Sequence, residues 1–275
     1  HELRLPRALA AFATGGLLAV AGAWMQVLLR NPLADPYVMG ASGGAAVGAL
    51  TAMLAGLALA FVNLGAFTGS FLATLLVFGL AHGDSSWTRT RLLLTGVIVA
   101  AGCGAIVALI LSIAPEHQLH GMLYWLMGDA GQIVDPWPAL AVLVVGLLLT
   151  LPVARELNLL ARGEVLAASL GIAVARLKRI TYVLASLFTA AAVTTAGSIG
   201  FIGLVVPHLV RLAVGNDQRL LLPAAALAGG SLLVLADTLA RTVVAPTQLP
   251  VGVLTALLGV PVFLFLLGRQ AGART

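Results

Sequence analysis

The chain has 275 residues, of which 60% are hydrophobic and only 9% charged, with a mean hydropathy of +1.07. Soluble domains carry about 25% charged residues, so this composition excludes a water-bathed globule and fits a surface that faces lipid. The formal charge of +5 comes from 14 Arg and a single Lys; no arginine run is interleaved with aromatics, which sets nucleic acid aside in favour of basic loops beside a membrane.

A spanning helix needs about 20 apolar residues, and Ala8–Leu29, bounded by Arg7 and Arg30, supplies them. His1 stands where Met is usual, and this first apolar stretch is too long for a signal peptide, so a trimmed chain with a further helix before it is expected. Two prolines in Asn31–Pro36 break the helix. Spans are then expected over Tyr37–Ala55 and Leu57–Ala81, followed by the polar stretch His82–Arg91. Leu92–Ala114 is the next span; it holds the lone Cys103, which cannot form an internal disulfide and is expected to serve as a small core residue. A short surface helix is expected near Gln118–Met127, and a span over Ala139–Val153. Arg155–Arg179 is the most polar block and reads as short amphipathic helices outside the bilayer. Ile180–Ala196, Ser198–Val214 with Pro207 inside it, Leu221–Val244 and Val251–Leu267 complete nine expected spans. Small residues four apart (Gly40/Gly44/Gly48 and Gly96/Ala100/Gly104) predict close helix packing.

Orientation follows from the arginines. With the N-terminus outside, the inner loops and tail hold twelve of the 15 Lys+Arg, leaving Arg4 and Arg7 outside and Arg241 late in a span. The positive-inside rule then puts the C-terminus in the cytoplasm.

The sequence has no G-x-x-x-x-G-K-[ST], so a P-loop ATPase site is excluded; C-x-x-C, H-E-x-x-H and G-x-S-x-G are also missing. The few ionisable groups at membrane depth are His208, Asp237 and Arg241. A charge there is costly and marks function by default, although Asp237 and Arg241 stand four apart on one helix and can neutralise each other. His208 follows Pro207, where the helix can open; packing, ligation and proton transfer are all open to it. A secondary transporter using Asp237 as its protonating group is a second reading. An intramembrane enzyme using His208 and Asp237 would lack a nucleophile.

Six stretches together resemble the permeases of bacterial ATP-driven importers for vitamin B12, haem and ferric siderophores. They are RLPR (Arg4–Arg7), NPLADP (Asn31–Pro36), LARGEVLAASLG (Leu160–Gly171), GSIGFIGLVVPHLVR (Gly197–Arg211), LLLPAAALAGGSLLVLADTLAR (Leu220–Arg241) and QLPVGVLTALLGVPVFLFLL (Gln248–Leu267), in the family's order and spacing. The resemblance implies one all-α transmembrane permease domain over residues 1–275, with nine spans here and ten in the full family pattern. It implies a homodimer in the bacterial inner membrane, two cytoplasmic ATP-binding subunits, a periplasmic substrate-binding protein and a metal-chelate substrate. No cofactor or metal of its own is implied.

Arg155–Arg179 is then the coupling region, with Arg162, Gly163, Glu164, Leu170 and Gly171 facing the ATPase. The cytoplasmic gate falls at Asn31, Pro32 and Leu33 and at Thr88, Arg89 and Thr90, where Arg89 replaces the family's usual small hydroxyl residue. Arg4, Arg7 and Arg241 become docking points for glutamates on the two lobes of the binding protein. Nothing in the residues singles out one chelate; Leu123–Gly128 slightly resembles the B12 version.

Overall fold

The structure is a computed structural model that describes residues 4–81, 89–129, 131 and 135–272. Among these, every regular element is helical. In chain order they are α1 (Arg4–Leu29), a 3-10 turn (Pro36–Met39), α2 (Ala41–Leu54), α3 (Leu59–Ala81), α4 (Arg89–Ile113) and α5 (Glu116–Met127). Then follow α6 (Trp137–Thr150), α7 (Ala154–Arg162), α8 (Glu164–Ser169), α9 (Val174–Ala196), α10 (Ile202–Val214), α11 (Gln218–Thr242) and α12 (Val251–Gly272).

α1, α3, α4, α9 and α11 are each long and apolar enough to cross a membrane. α6 and α7, bent by 69° at their junction, make a sixth span if taken as one. The apolar helices α2 and α10 and the Val251–Phe265 stretch of α12 are shorter. The nine apolar segments of the sequence correspond to α1, α2, α3, α4, α6, α9, α10, α11 and α12.

α1 is the axis of the bundle: 83% of its most apolar window is buried, against 11% for α4. It packs on α11, α9, α10 and α6. Glycine makes that density possible, because a Cβ on Gly15 would run into the carbonyl of Gly229 and one on Gly22 into the backbone of Gly203. In lipid, where apolar burial gives helices little reason to associate, such backbone approach supplies the dispersion contacts that hold them. Trp24 of α1 packs on Phe188 of α9 with ring centroids 5.0 Å apart, and Phe188 fills the space a side chain at Gly146 of α6 would need.

The small-residue repeats divide. Gly44 and Gly48 of α2 meet Gly69 and Gly65 of α3 backbone to backbone, and Gly96 of α4 lies against the carbonyl of Val38. Gly104 of α4 has nothing within reach of a Cβ among the described residues, so the repeat does not make a close backbone approach at that end.

α2 and α10 are about 20 Å long, short of the roughly 30 Å hydrocarbon thickness, because irregular backbone occupies the beginning of each expected span. The residues before α2 form the 3-10 turn, capped by Asp35, whose carboxylate accepts from the amide of Tyr37 at 2.7 Å. Residues 197–201 separate α9 from α10, with Phe201 in the left-handed region at φ 70°, and α10 starts beside Gly22 within α1 rather than at its end. These two breaks meet. The Ile199 amide donates to the Tyr37 hydroxyl at 3.1 Å, and the Ser42 and Ser198 hydroxyls lie 2.7 Å apart. The Gly252 amide, at the start of α12, donates to Gly128 O at the end of α5 at 3.3 Å. Non-helical backbone inside an apolar bundle must find such partners.

The polar block Arg155–Arg179 is helical as expected, but only α7 and α8 are short. Val174–Arg179 are the first turns of α9, because Leu177 and Lys178 are buried and continue the α9 face.

Candidate functional site

The two ends of the bundle carry different chemistry. At the Arg4 end, α1 and α11 are tied by an ion-pair cluster. Arg7 Nη2 lies 2.7 Å from Asp237 Oδ1, and Arg7 Nε lies 3.0 Å from both carboxylate oxygens. Arg241, one turn on from Asp237, approaches the same carboxylate at 3.2 Å. Arg7 Nη1 donates to Gln248 Oε1 at 3.0 Å, and Asp129 stands 3.9 Å from Arg7 Nη2. Asp237 is 1% exposed, the Arg7 side chain 13% and the Arg241 side chain 26%. The pairing of Asp237 with Arg241 was expected from their spacing. The stronger contact, to Arg7, was not, since 230 residues separate the two and only the packing of α1 on α11 brings them together. Arg4, one turn before Arg7, is exposed.

The Arg30 end holds the other sequence-predicted residues. α7 buries Ala154, Leu157 and Leu160 against the bundle and turns its polar side out. Gly163 and Gly171 bracket α8 at φ 149° and 82°, conformations that L side chains rarely adopt, so two glycines fix how this helix stands off the bundle. Glu164, at the start of α8, pairs with Lys178 of α9 at 3.1 Å. α8 and its end leave Val165 85%, Leu166 44% and Leu170 58% exposed. An apolar patch at the polar end of a membrane bundle is the usual mark of a protein contact.

Beside α7 lies the turn that leaves α1. Asn31 Oδ1 accepts from the Leu33 amide at 2.9 Å, an Asx-type turn that, with Pro32, stiffens the segment. Arg30 precedes it in the left-handed region at φ 47°. Arg89 begins α4 and Thr90 follows it in the same helix, while Thr88 lies outside the described residues. At the start of α11, Asp217 accepts from Asn158 Nδ2 at 2.7 Å and from the Arg219 amide at 3.0 Å. Those two hydrogen bonds hold its carboxyl below the usual carboxylate range. Asn158 Oδ1 in turn accepts from the Gln218 amide at 2.8 Å, so α7 is clamped to α11. His208 is buried within α10. Among the described residues, no cluster of three or more His, Cys, Asp or Glu is placed to hold a metal. Among the described residues the arrangement offers surfaces and hinges.

Known proteins share this architecture. A permease of a cobalamin import system from Halobacterium salinarum, BtuC, is 44% identical over 96% of this chain and 72% of its own length. A hemin transport system permease from Yersinia pestis, HmuU, is 46% identical over the whole chain and 84% of its own length. A solved structure described as an inward-facing conformation of a metal-chelate type ABC transporter superposes with a TM-score of 0.88 at 32% identity, covering 96% of this chain and 85% of that one. The model of the FecCD transport family matches residues 1–269. This chain therefore belongs to the FecCD transport family, as a multi-pass membrane permease whose ATPase activity resides in a partner subunit.

Proposed function

We propose that this chain is the permease of an ATP-driven importer of a metal-chelate nutrient such as cobalamin, haem or a ferric siderophore, working as a homodimer in a bacterial cytoplasmic membrane. Nine helices cross the bilayer, with the Arg4 end outside and the Arg30 end in the cytoplasm. The arginine and lysine distribution supports that orientation. A second copy would cover α4, whose outer face is almost wholly exposed and whose Gly102 and Gly104 have, among the described residues, nothing within reach of a Cβ.

The observation that carries the reading is the α7–α8 block. Among the described residues it is a stretch of two short helices at the Arg30 end, it stands on two positive-φ glycines, and it shows three apolar side chains to water. Such a knob suits a groove on a cytoplasmic ATPase, whose closure would tilt α9 and α1 through the Glu164–Lys178 pair and the gate turn at Asn31, Pro32 and Leu33. Arg89 and Thr90 at the start of α4 are the second part of that gate. Arg4 and Arg241, with Arg7 behind them, would receive carboxylates of the binding protein; a guanidinium fork suits that task. The ion-coupled alternative loses its group, since Asp237 already serves as the counter-ion of Arg7 and Arg241.

Replacing Gly163 and Glu164 together with alanine tests the coupling role. Transport is expected to fall at least about tenfold while the ATPase continues to turn over and the binding protein still docks, since a strained backbone at φ 149° and a lost ion pair re-aim α8. Coupled transport at the wild-type rate by that variant rejects the assignment.

A further inference from the structure

Between α1, α7, α10 and α11, at the Arg30 end, lies a cavity of about 660 Å³. Arg30, Arg162 and Arg211 line it from three different helices or their caps. Among the described residues, none of the three has a carboxylate within ion-pair distance. The one acidic group in the lining, Asp217, is already held by Asn158 and the Arg219 amide. Three guanidiniums around a concave polar space, against a single carboxylate, form an anion site. Two further observations agree. Arg30 sits at φ 47°, a backbone conformation where glycine or asparagine is the ordinary choice at a helix end. Gln218 is 1% exposed, and its Oε1 has no partner while its Nε2 makes only a long 3.5 Å contact to Asn216 O. A half-turn of that amide would present a donor to the cavity.

We propose that this cavity binds the phosphate of an anionic phospholipid headgroup. The volume exceeds what a free phosphate or one carboxylate side chain fills, and a glycerophosphate headgroup uses more of it. Basic pockets between helices on the cytoplasmic side are where such headgroups bind, and the guanidinium fork matches phosphate oxygens. The ATPase is expected to meet the apolar side chains of α8 and to reach the cavity only at its Arg162 rim, so the test below includes it. Because the cavity adjoins both the gate turn at Asn31–Pro32 and α7, a bound lipid would brace the two against each other. The inference uses the orientation proposed above but not the transport activity, and its test reads lipid binding alone, so either can fail without the other.

The experiment is native mass spectrometry of the purified permease, alone and with its ATPase subunits, in detergent containing equal phosphatidylglycerol and phosphatidylethanolamine. The wild type is expected to retain phosphatidylglycerol at least about tenfold over phosphatidylethanolamine, with or without the ATPase, and Arg30→Gln with Arg211→Gln to lose that preference. Arg219→Gln, a change at the same end outside the cavity, is expected to keep it. If the double variant does not fold, the exposed Arg30→Gln alone carries the test, with a partial loss expected. Equal retention by wild type and variant overturns the proposal. So does displacement of the lipid by millimolar inorganic phosphate, which would mark a free-anion site, and so does its loss on adding the ATPase, which would make the cavity part of a protein interface.

Discussion

Asp237→Asn probes the cluster that joins the first and the eleventh helix. The carboxylate accepts from Arg7 Nη2 at 2.7 Å and Nε at 3.0 Å and lies 3.2 Å from Arg241 Nε, with 1% of its surface exposed. Breaking a buried ion pair by removing one partner costs about 3–5 kcal/mol, mainly because the other charge stays behind uncompensated. Here the arginine side chains keep 13% and 26% exposure, Arg7 retains Gln248 as an acceptor, and Asn still offers one oxygen. The lower end, about 3 kcal/mol, is therefore expected. Arg7→Gln is expected to cost about 2 kcal/mol, since Arg241 remains beside Asp237 at 3.2 Å. Because both changes remove the same contact, the double variant is expected to fall short of their sum by at least about 1.5 kcal/mol. Equilibrium unfolding of the four proteins in one detergent measures this. Additivity within about 0.5 kcal/mol would mean that the pair contributes nothing as a pair and would refute the reasoning.

Gly22→Val places a branched side chain into the backbone of Gly203; backbone cannot give way as a side chain end can, so a loss of about 3 kcal/mol or more is expected, read as loss of the monodisperse folded species in detergent. Gly104→Val, with open space around it within the chain, is expected to leave the folded subunit intact but to weaken self-association, checked by mass photometry. Arg4→Glu is expected to weaken docking of the binding protein at low salt, with a defect that shrinks as ionic strength rises; unchanged affinity at low salt removes Arg4 from that interface. The same test is uninformative at Arg7, where a carboxylate would face Asp237 and perturb the fold itself.

The helical class, the order of the apolar segments and the helical character of the polar block were legible in composition, hydropathy and proline or glycine placement, because each is a local property of the chain. The burial of α1 was not. Its most apolar stretch is close in hydropathy to that of α3, and in lipid an apolar face points equally well to a neighbour or to the bilayer. Only Gly15, Gly16 and Gly22 hint at close approach, and Gly104 shows that the same hint on α4 leads to no close contact among the described residues. The Arg7–Asp237 pair was hidden for a second reason. Spacing offered Asp237 a partner at Arg241, and a local solution gives no sign that a stronger one arrives from 230 residues away. The shortness of α2 and α10 was hidden too, since residues 37–40 and 198–201 are apolar enough to read as helix. Their irregular backbone is held by Tyr37, Ser42 and Ser198 across the bundle, a long-range condition that hydropathy does not register.

The most direct test of the permease account is uptake by proteoliposomes containing this chain. With the partner ATPase inside, the binding protein outside and cobalamin, haem or a ferric siderophore as the offered chelate, accumulation of one of them is expected to require ATP hydrolysis. It is expected to persist when any proton or sodium gradient is collapsed. Accumulation by the chain alone, driven by such a gradient and abolished by Asp237→Asn, would contradict the account.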